Sequence, residues 1–249
     1  MMRWSKLAIR MEQQEYHILF EVEGRHFWFR SVHELVVASL RRSCETPLKI
    51  LDAGCGTGGL MKKLEKLGEV EGIDRSPLAI EYCRKRGLEG AKCADLNTFA
   101  LPRETYDAIT SIDVLYHRSI IDPLSVLKKF HSALKPGGVL FLHLPAFAFL
   151  RGAHDAIVHT GHRYTRREAK NMVQEAGFKI EHASYRLMFL FPLVALLRLI
   201  RRSSAHSDTQ RVHPLINIPL LWLCRIENAL SRTLPLPFGV SLYVIARKS

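Results

Sequence analysis

A chain of 249 residues, 47% hydrophobic and 24% charged, has enough apolar side chain to bury a sizeable core, which excludes disorder, collagen and coiled coil. Lys and Arg number 36 against 24 Asp and Glu, and the resulting +12 favours an anionic partner: nucleic acid, an anionic membrane surface or a phosphorylated substrate. Five cysteines without a C-x-x-C pair fit neither a disulfide framework nor a usual zinc site, so no metal is expected and a reducing cytoplasm is the expected compartment. Nucleic acid is disfavoured, because no zinc-finger spacing, RNP-like aromatic motif or long basic block occurs. The basic start Met1-Met2-Arg3 is not followed by the apolar run and cleavage site of a secretory signal.

Residues 1 to about 45 carry Trp4, Tyr16, Phe20, Phe27, Trp28 and Phe29, which predicts a helical cap with aromatic side chains. From Pro47 to Leu144, strand-length apolar runs alternate with helical stretches, the pattern of a parallel sheet covered by helices. The strands are expected at Leu48–Leu51, Glu69–Ile73, Ala91–Ala94, Tyr106–Ile112 and Gly138–Leu144. Ser76-Pro77 and Asp122-Pro123 each place an N-cap residue before a proline at the first helical position. Thr165 with Glu168 forms a capping-box pattern for a helix ending near Gly177, and Phe178 opens a sixth strand. Two apolar stretches follow, Leu187–Ile200 and Leu215–Leu223, separated by polar residues 201–213. Neither spans a bilayer: the first has 14 residues and includes Pro192 and Arg198. Val240–Ala246 reads as a last strand.

These elements predict one α/β domain over 1–249, a doubly wound, Rossmann-like, mostly parallel seven-stranded sheet. Its parts are a cap (1–45), a cofactor-binding core (46–150), a lid with helix and strand (151–186), an apolar helical insertion (187–238) and the last strand (239–249).

The chemistry concentrates in Leu51-Asp52-Ala53-Gly54-Cys55-Gly56-Thr57-Gly58-Gly59, between the first strand and its helix, where glycines permit a tight turn and close approach of a ligand. Residues 54, 56 and 59 also satisfy G-x-G-x-x-G, with Asp74 lying 20 residues after Gly54, so a dinucleotide-binding reading is open on the loop alone. Further along stand Glu71-Gly72-Ile73-Asp74-Arg75-Ser76, Cys93-Ala94-Asp95-Leu96, Asp107 to His117 and Leu134-Lys135-Pro136-Gly137-Gly138. In this order the series resembles the class I S-adenosylmethionine-dependent methyltransferases.

That resemblance implies S-adenosylmethionine as cofactor, a sulfonium cation with a zwitterionic methionine end, which calls for acids and shape rather than phosphate binders. It assigns Asp52 and Gly54 to the methionine end, with Cys55, Gly56 and Gly58 completing the loop. Asp74 and Arg75 fall to the ribose and adenine edge, Asp95 and Leu96 to adenine, and Asp113 to the end of the fourth strand facing the transferred methyl. Cys55 serves as a small loop residue, with no redox or metal partner evident in the sequence.

Glu23 to Arg30, then His162-Arg163-Tyr164-Thr165, and Pro237 to Leu242 resemble a bacterial branch of the same family often associated with glycan or lipid-linked pathways. This chain has His159-Thr160-Gly161-His162-Arg163-Tyr164 where the branch more commonly shows H-x-R-R-Y. A base is needed only if the acceptor must lose a proton. His117, His143, His154, His159 and His162 fall near strand ends or before the Thr165 helix, where sites of open α/β sheets lie. His117 and His162 are the candidate bases, and Tyr164 a hydrogen-bond partner for the acceptor.

The expected function is methyl transfer, at oxygen, to a small-molecule or lipid-linked/glycan acceptor. The alternatives are a nicotinamide-dependent oxidoreductase and a catalytically inactive cofactor-binding protein at a membrane surface. Arg186, Arg198, Arg201, Arg202 and Arg211 flank the apolar stretches, so an anionic membrane, with the protein peripheral at its inner face, is a candidate partner.

Overall fold

The computed structural model describes residues 16–152, 155, 159–200 and 212–249. Trp4, His154, Arg201, Arg202 and Arg211, all singled out above, lie outside the described residues. Strands β1 (Leu48–Ala53), β2 (Gly68–Asp74), β3 (Ala91–Cys93), β4 (Tyr106–Ile112), β5 (Leu134–Pro145), β6 (Phe178–Arg186) and β7 (Ser241–Lys248) form one sheet. Its order is β3-β2-β1-β4-β5-β7-β6. All paired neighbours from β3 to β5 are parallel, and β7 inserts antiparallel between β5 and β6. The C-terminal ends of β1 to β6 therefore share one edge with the start of β7.

The helices around the sheet include α1 (Phe27–Ser43), α2 (Gly59–Leu64), α3 (Pro77–Lys85), α4 (Pro123–Ala133), α5 (Arg166–Glu175), α6 (Phe191–Ile200) and α7 (Pro214–Ser231). Period-two alternation in the central strands feeds two apolar layers. Ile50, Ala108, Val139, Phe141, Tyr243 and Ile245 pack toward α1 and α2, through Leu35, Val36, Leu40, Leu60 and Leu64. Their neighbours Leu51, Ile109, Leu140, Leu142, Leu242 and Val244 pack on the other face with Leu127 and Phe130 of α4 and Val173 of α5.

The local signals set the helix starts with one exception. Asp122 accepts from Leu124 N at 3.0 Å, and Thr165 and Glu168 complete both halves of the capping box. Ser76 precedes α3 but makes no capping bond; its own N–H is instead held by Asp74 Oδ1 at 2.9 Å. β5 begins at Leu134 rather than Gly138, because Leu134 pairs with Tyr106 across an irregularity in β4. The second apolar stretch extends to Ser231, since Cys224, Glu227, Asn228 and Ser231 are also buried. In the first stretch only Phe191–Ile200 is helical.

Candidate active site

After β1 the chain turns through Gly54, Gly56 and Gly58 with φ of +88°, +52° and +80°, a region glycine enters without steric cost. A Cβ on Gly54 would collide with Val114, and one on Gly58 with Leu88 and Cys83, so the loop is packed from behind. Gly54 and Cys55 donate to Ile73 O at 2.7 and 3.0 Å, and Gly56 N donates to Asp74 Oδ2 at 3.0 Å. The first two glycine-loop turns are thus tied to the end of β2, where the second acid stands.

Asp52 is buried at the end of β1 and accepts from Thr110 Oγ1 at 2.8 Å. Burial pushes its carboxyl up to about 7, and the nearby acids Glu23 and Asp74 push the same way against the Thr110 hydrogen bond. Arg75 and Asp95 lie exposed beyond β2 and β3, Asp95 Oδ1 accepting from Asn97 N at 2.8 Å. Leu96 beside them is buried in the core. The positions assigned to a cofactor from Asp52 to Leu96 therefore gather along one edge of the sheet, at the ends of β1, β2 and β3.

Two partners of this loop escaped the sequence reading. Glu23, from the chain before α1, accepts from Thr57 Oγ1 at 2.5 Å, Gly59 N at 3.1 Å and Arg86 Nη2 at 3.2 Å. It locks the start of α2, and burial raises its carboxyl against those three lowering contacts. The only sequence signal for it is an acid preceding the His26-Phe27-Trp28 aromatic run. Cys55 is also not alone: Cys83 Sγ lies 4.0 Å from its Sγ, and Cys83 donates to Gly56 O at 3.3 Å. The pairing spans 28 residues, so spacing alone does not reveal it.

At the end of β4, Asp113 adopts φ +54°, an uncommon conformation for a residue other than glycine. Its Oδ1 lies 3.0 Å from His143 Nδ1, and His143 Nε2 lies 3.0 Å from Ser241 Oγ. His143 is fully buried on β5, and Trp28 of α1 meets its ring edge-on at 5.8 Å. Ser241 pairs in register with both Pro145 and Arg186. Arg186 is fully buried and binds Asn228 Oδ1 at 3.2 Å and Ser31 Oγ. Within this chain of polar groups Asp113 alone has appreciable exposure, 24% of its side chain. The sequence signal for His143 is a histidine interrupting the apolar run Val139–Leu144.

The segment after β5 returns over the same edge. Gly161 N donates to Tyr116 O at 2.8 Å, Tyr164 N to Pro145 O at 2.9 Å, and Phe147 N to Tyr164 O at 3.1 Å. Buried Arg163 anchors it through Asp155 Oδ1 at 2.7 Å and Ala146 O at 3.0 Å. His117 packs its ring on His159 at 5.6 Å and receives Ser119 N at Nδ1. Burial, with His159 and Arg75 nearby, lowers its pKa to about 4. His162 is exposed, 3.8 Å from Glu168. Tyr164 belongs to the core, and its hydroxyl donates to Leu115 O at 3.4 Å.

Three carboxylates at successive strand ends around a glycine turn suit a ligand that presents a cation and hydroxyls, and would repel a pyrophosphate. Residues 20–183 match the family described as a methyltransferase domain. Two curated relatives are ubiquinone biosynthesis O-methyltransferases. That of Histophilus somni is 32% identical over 143 aligned positions, covering 49% of this chain and 59% of that one. That of Xanthomonas campestris pv. campestris is 36% identical over 101, covering 38% and 41%. The chain thus spans about half the length of the curated relatives it matches. A possible histamine N-methyltransferase from Thermotoga maritima shares the fold at TM-score 0.62 and 15% identity, covering 96% of this chain and 99% of that one. The loop after β1, the acids at the ends of β1 and β2, and this match over most of the chain have one reading: the chain belongs to the class I S-adenosylmethionine-dependent methyltransferases, with S-adenosylmethionine as the family's cofactor.

Proposed function

We propose that the protein transfers a methyl group to an oxygen of a small-molecule acceptor, of the lipid-linked or glycan class, and works in the cytoplasm at the inner face of a membrane. The observation that carries the oxygen is the Asp113–His143–Ser241 chain, which offers a carboxylate at the one end open to an acceptor. The names of the O-methyltransferase relatives agree with it. When bound, the cofactor supplies an electrophilic methyl on a sulfonium.

In this reading Asp52 and Gly54 hold the methionine end, with the backbone of Cys55, Gly56 and Gly58 lining the turn. Asp74 and Arg75 take the ribose side, and Asp95 and Leu96 the adenine. Asp74 accepts from Gly56 N and Ser76 N, which fixes its carboxylate at the end of β2 where ribose hydroxyls would donate to it. With Nδ1 protonated, His143 donates to Asp113 and accepts from Ser241, which fixes the ring and keeps the carboxylate aimed. Asp113 would then take the acceptor's hydroxyl proton as its oxygen gains the methyl and the methyl–sulfur bond breaks, leaving a neutral thioether. His117, neutral at pH 7, and His162 form the wall of the acceptor pocket, with Tyr164 packed behind His162 in the core.

Asp74→Ala should weaken cofactor binding at least about tenfold in calorimetry, since each charge-assisted hydrogen bond is worth roughly 1.5–3 kcal/mol. Unchanged affinity in a folded variant overturns the cofactor assignment. Asp113→Asn should cost about 10²-fold in turnover while leaving that affinity intact. Substitution of His162 or Tyr164 should lower turnover without affecting cofactor binding, and full turnover in both removes them from the acceptor wall.

A further inference from the structure

The insertion between β6 and β7 leaves the sheet at Arg186 and returns at Ser241, positions paired in register at the same edge as Asp113 and the glycine loop. It lies beyond residue 183, where the match to the methyltransferase family ends. Its helices are two-faced. On α7, Leu221, Cys224, Glu227, Asn228 and Ser231 are buried; Asn228 donates to Ser31 O at 2.8 Å and Arg225 bridges Glu34 at 2.7 Å, both on α1. The opposite stripe, Leu215, Ile218, Trp222, Ile226 and Leu230, is 45–78% exposed. Leu193, Leu196 and Leu197 of α6 are exposed as well, as are Phe149, Phe189 and Leu234 outside the two helices.

We infer that the outer faces of α6 and α7 dock on an anionic lipid bilayer. An apolar surface of this extent marks a contact site rather than scattered surface residues. Charge selects the occupant. α6 contains no acid, and Glu227, one of the few acids near the stripe, is buried and holds Leu187 N and Phe189 N. Arg198 lies on α6 and Arg232 caps the end of α7, while Arg225 covers the Trp222 ring at 5.0 Å as it bridges Glu34, on a chain of formal charge +12. A bilayer with anionic headgroups accepts both features, as apolar side chains enter the headgroup boundary and arginines meet phosphates. A second copy of the chain, packed face to face, would instead oppose these arginines to their own equivalents. No described helix is long and apolar enough to cross a membrane, so the helices lie in the interface plane.

An aromatic run joins this face to the catalytic edge. Phe191 packs on Phe147 at 5.9 Å, Phe149 at 6.1 Å and Phe238 at 5.2 Å, and Phe147 stacks on Tyr185 at 4.9 Å. Phe147 stands two residues beyond the end of β5. The inference deepens the acceptor reading by giving a lipid-linked acceptor a route from bilayer to Asp113, and rests on that reading for the acceptor but not for the docking.

The test is co-sedimentation with phosphatidylcholine vesicles, with and without about 30% phosphatidylglycerol, at about 50 and 500 mM NaCl. The full chain should bind only vesicles containing the anionic lipid, less at high salt, with a blue shift of tryptophan fluorescence as Trp222 enters the interface. Ile218→Glu with Ile226→Glu, both exposed positions, should keep the melting temperature and lose at least about tenfold in binding. Wild-type protein left in the supernatant at low salt overturns the proposal, as does equal binding by the double variant. A vesicle-free dimer in sedimentation velocity that the double variant abolishes assigns the face to a second copy and likewise overturns it. Cofactor calorimetry on the same samples separates the two readings: retained affinity without vesicle binding defeats docking alone, and vesicle binding without affinity defeats the methyl-transfer reading alone.

Discussion

Asp52 shows how one carboxylate ties the cofactor loop to pH. Its folded-state pKa of about 7 stands well above the ordinary aspartate value, so the folded chain holds this proton more tightly than the unfolded chain. Its contribution to stability therefore falls as pH rises from about 4 to about 7 and is flat above that. Asp52→Asn, neutral throughout and still able to accept from Thr110, should gain stability over wild type by about 2 kcal/mol between pH 5 and pH 7. Urea unfolding at the two pH values measures this, and an equal difference at both would place the cause elsewhere. A bound ammonium favours the ionised carboxylate, so cofactor binding near pH 6.5 should release protons, which calorimetry in buffers of different ionisation enthalpy detects.

Among the elements, α2 is short and starts on two glycines, so its position depends on a residue outside it. Gly59 leaves no room for a Cβ beside the Glu23 carboxylate, which receives the backbone N–H of Gly59 and the hydroxyl of Thr57. Glu23→Ala would leave those donors and Arg86 without their buried acceptor, a loss on the order of 3–5 kcal/mol. The melting temperature should drop by about 10 °C and cofactor affinity should fall as the loop loosens. Thr165→Ala offers the contrast. It removes the capping box of α5 at a cost of about 1 kcal/mol and should leave cofactor affinity unchanged. A Glu23→Ala protein as stable as Thr165→Ala would show that the loop stands without its lock.

For the whole molecule, the consequence of β7 running antiparallel between β5 and β6 is that an insertion before β7 begins and ends at the catalytic edge. The same connection lays α7 on α1, where Arg225 meets Glu34 and Asn217 takes the N–H of Phe27 at 2.8 Å. Cap, sheet and insertion are thereby fastened to one another around Asp113. α6 is the least supported of these parts, its inner side resting on Phe147 and Phe149. Its amides should exchange faster with deuterium than those of α7 in solution, and slow by about tenfold or more with anionic vesicles. Exchange of α6 that vesicles leave unchanged contradicts docking through this helix.

The positions of the strands and of the glycine loop were legible in the sequence because they rest on local rules: alternating apolar residues, turn glycines, and caps before prolines. Tyr106–Ile112 is a strand with the expected bounds, and Asp52, Gly54 and Asp74 stand at strand ends as the motif order implies. What the tertiary structure alone decided are the contacts that close over long separations. Glu23 reaches Gly59 across 36 residues, Cys83 reaches Cys55 across 28, and His143 joins Asp113 to Ser241 across 30 and 98. Hydropathy marked 215–223 as apolar without saying which side faces the protein. That side was settled by α1 and β6, because Ser31, Glu34 and Arg186 offer partners to Asn228 and Arg225, and the apolar stripe on the other side was left outward.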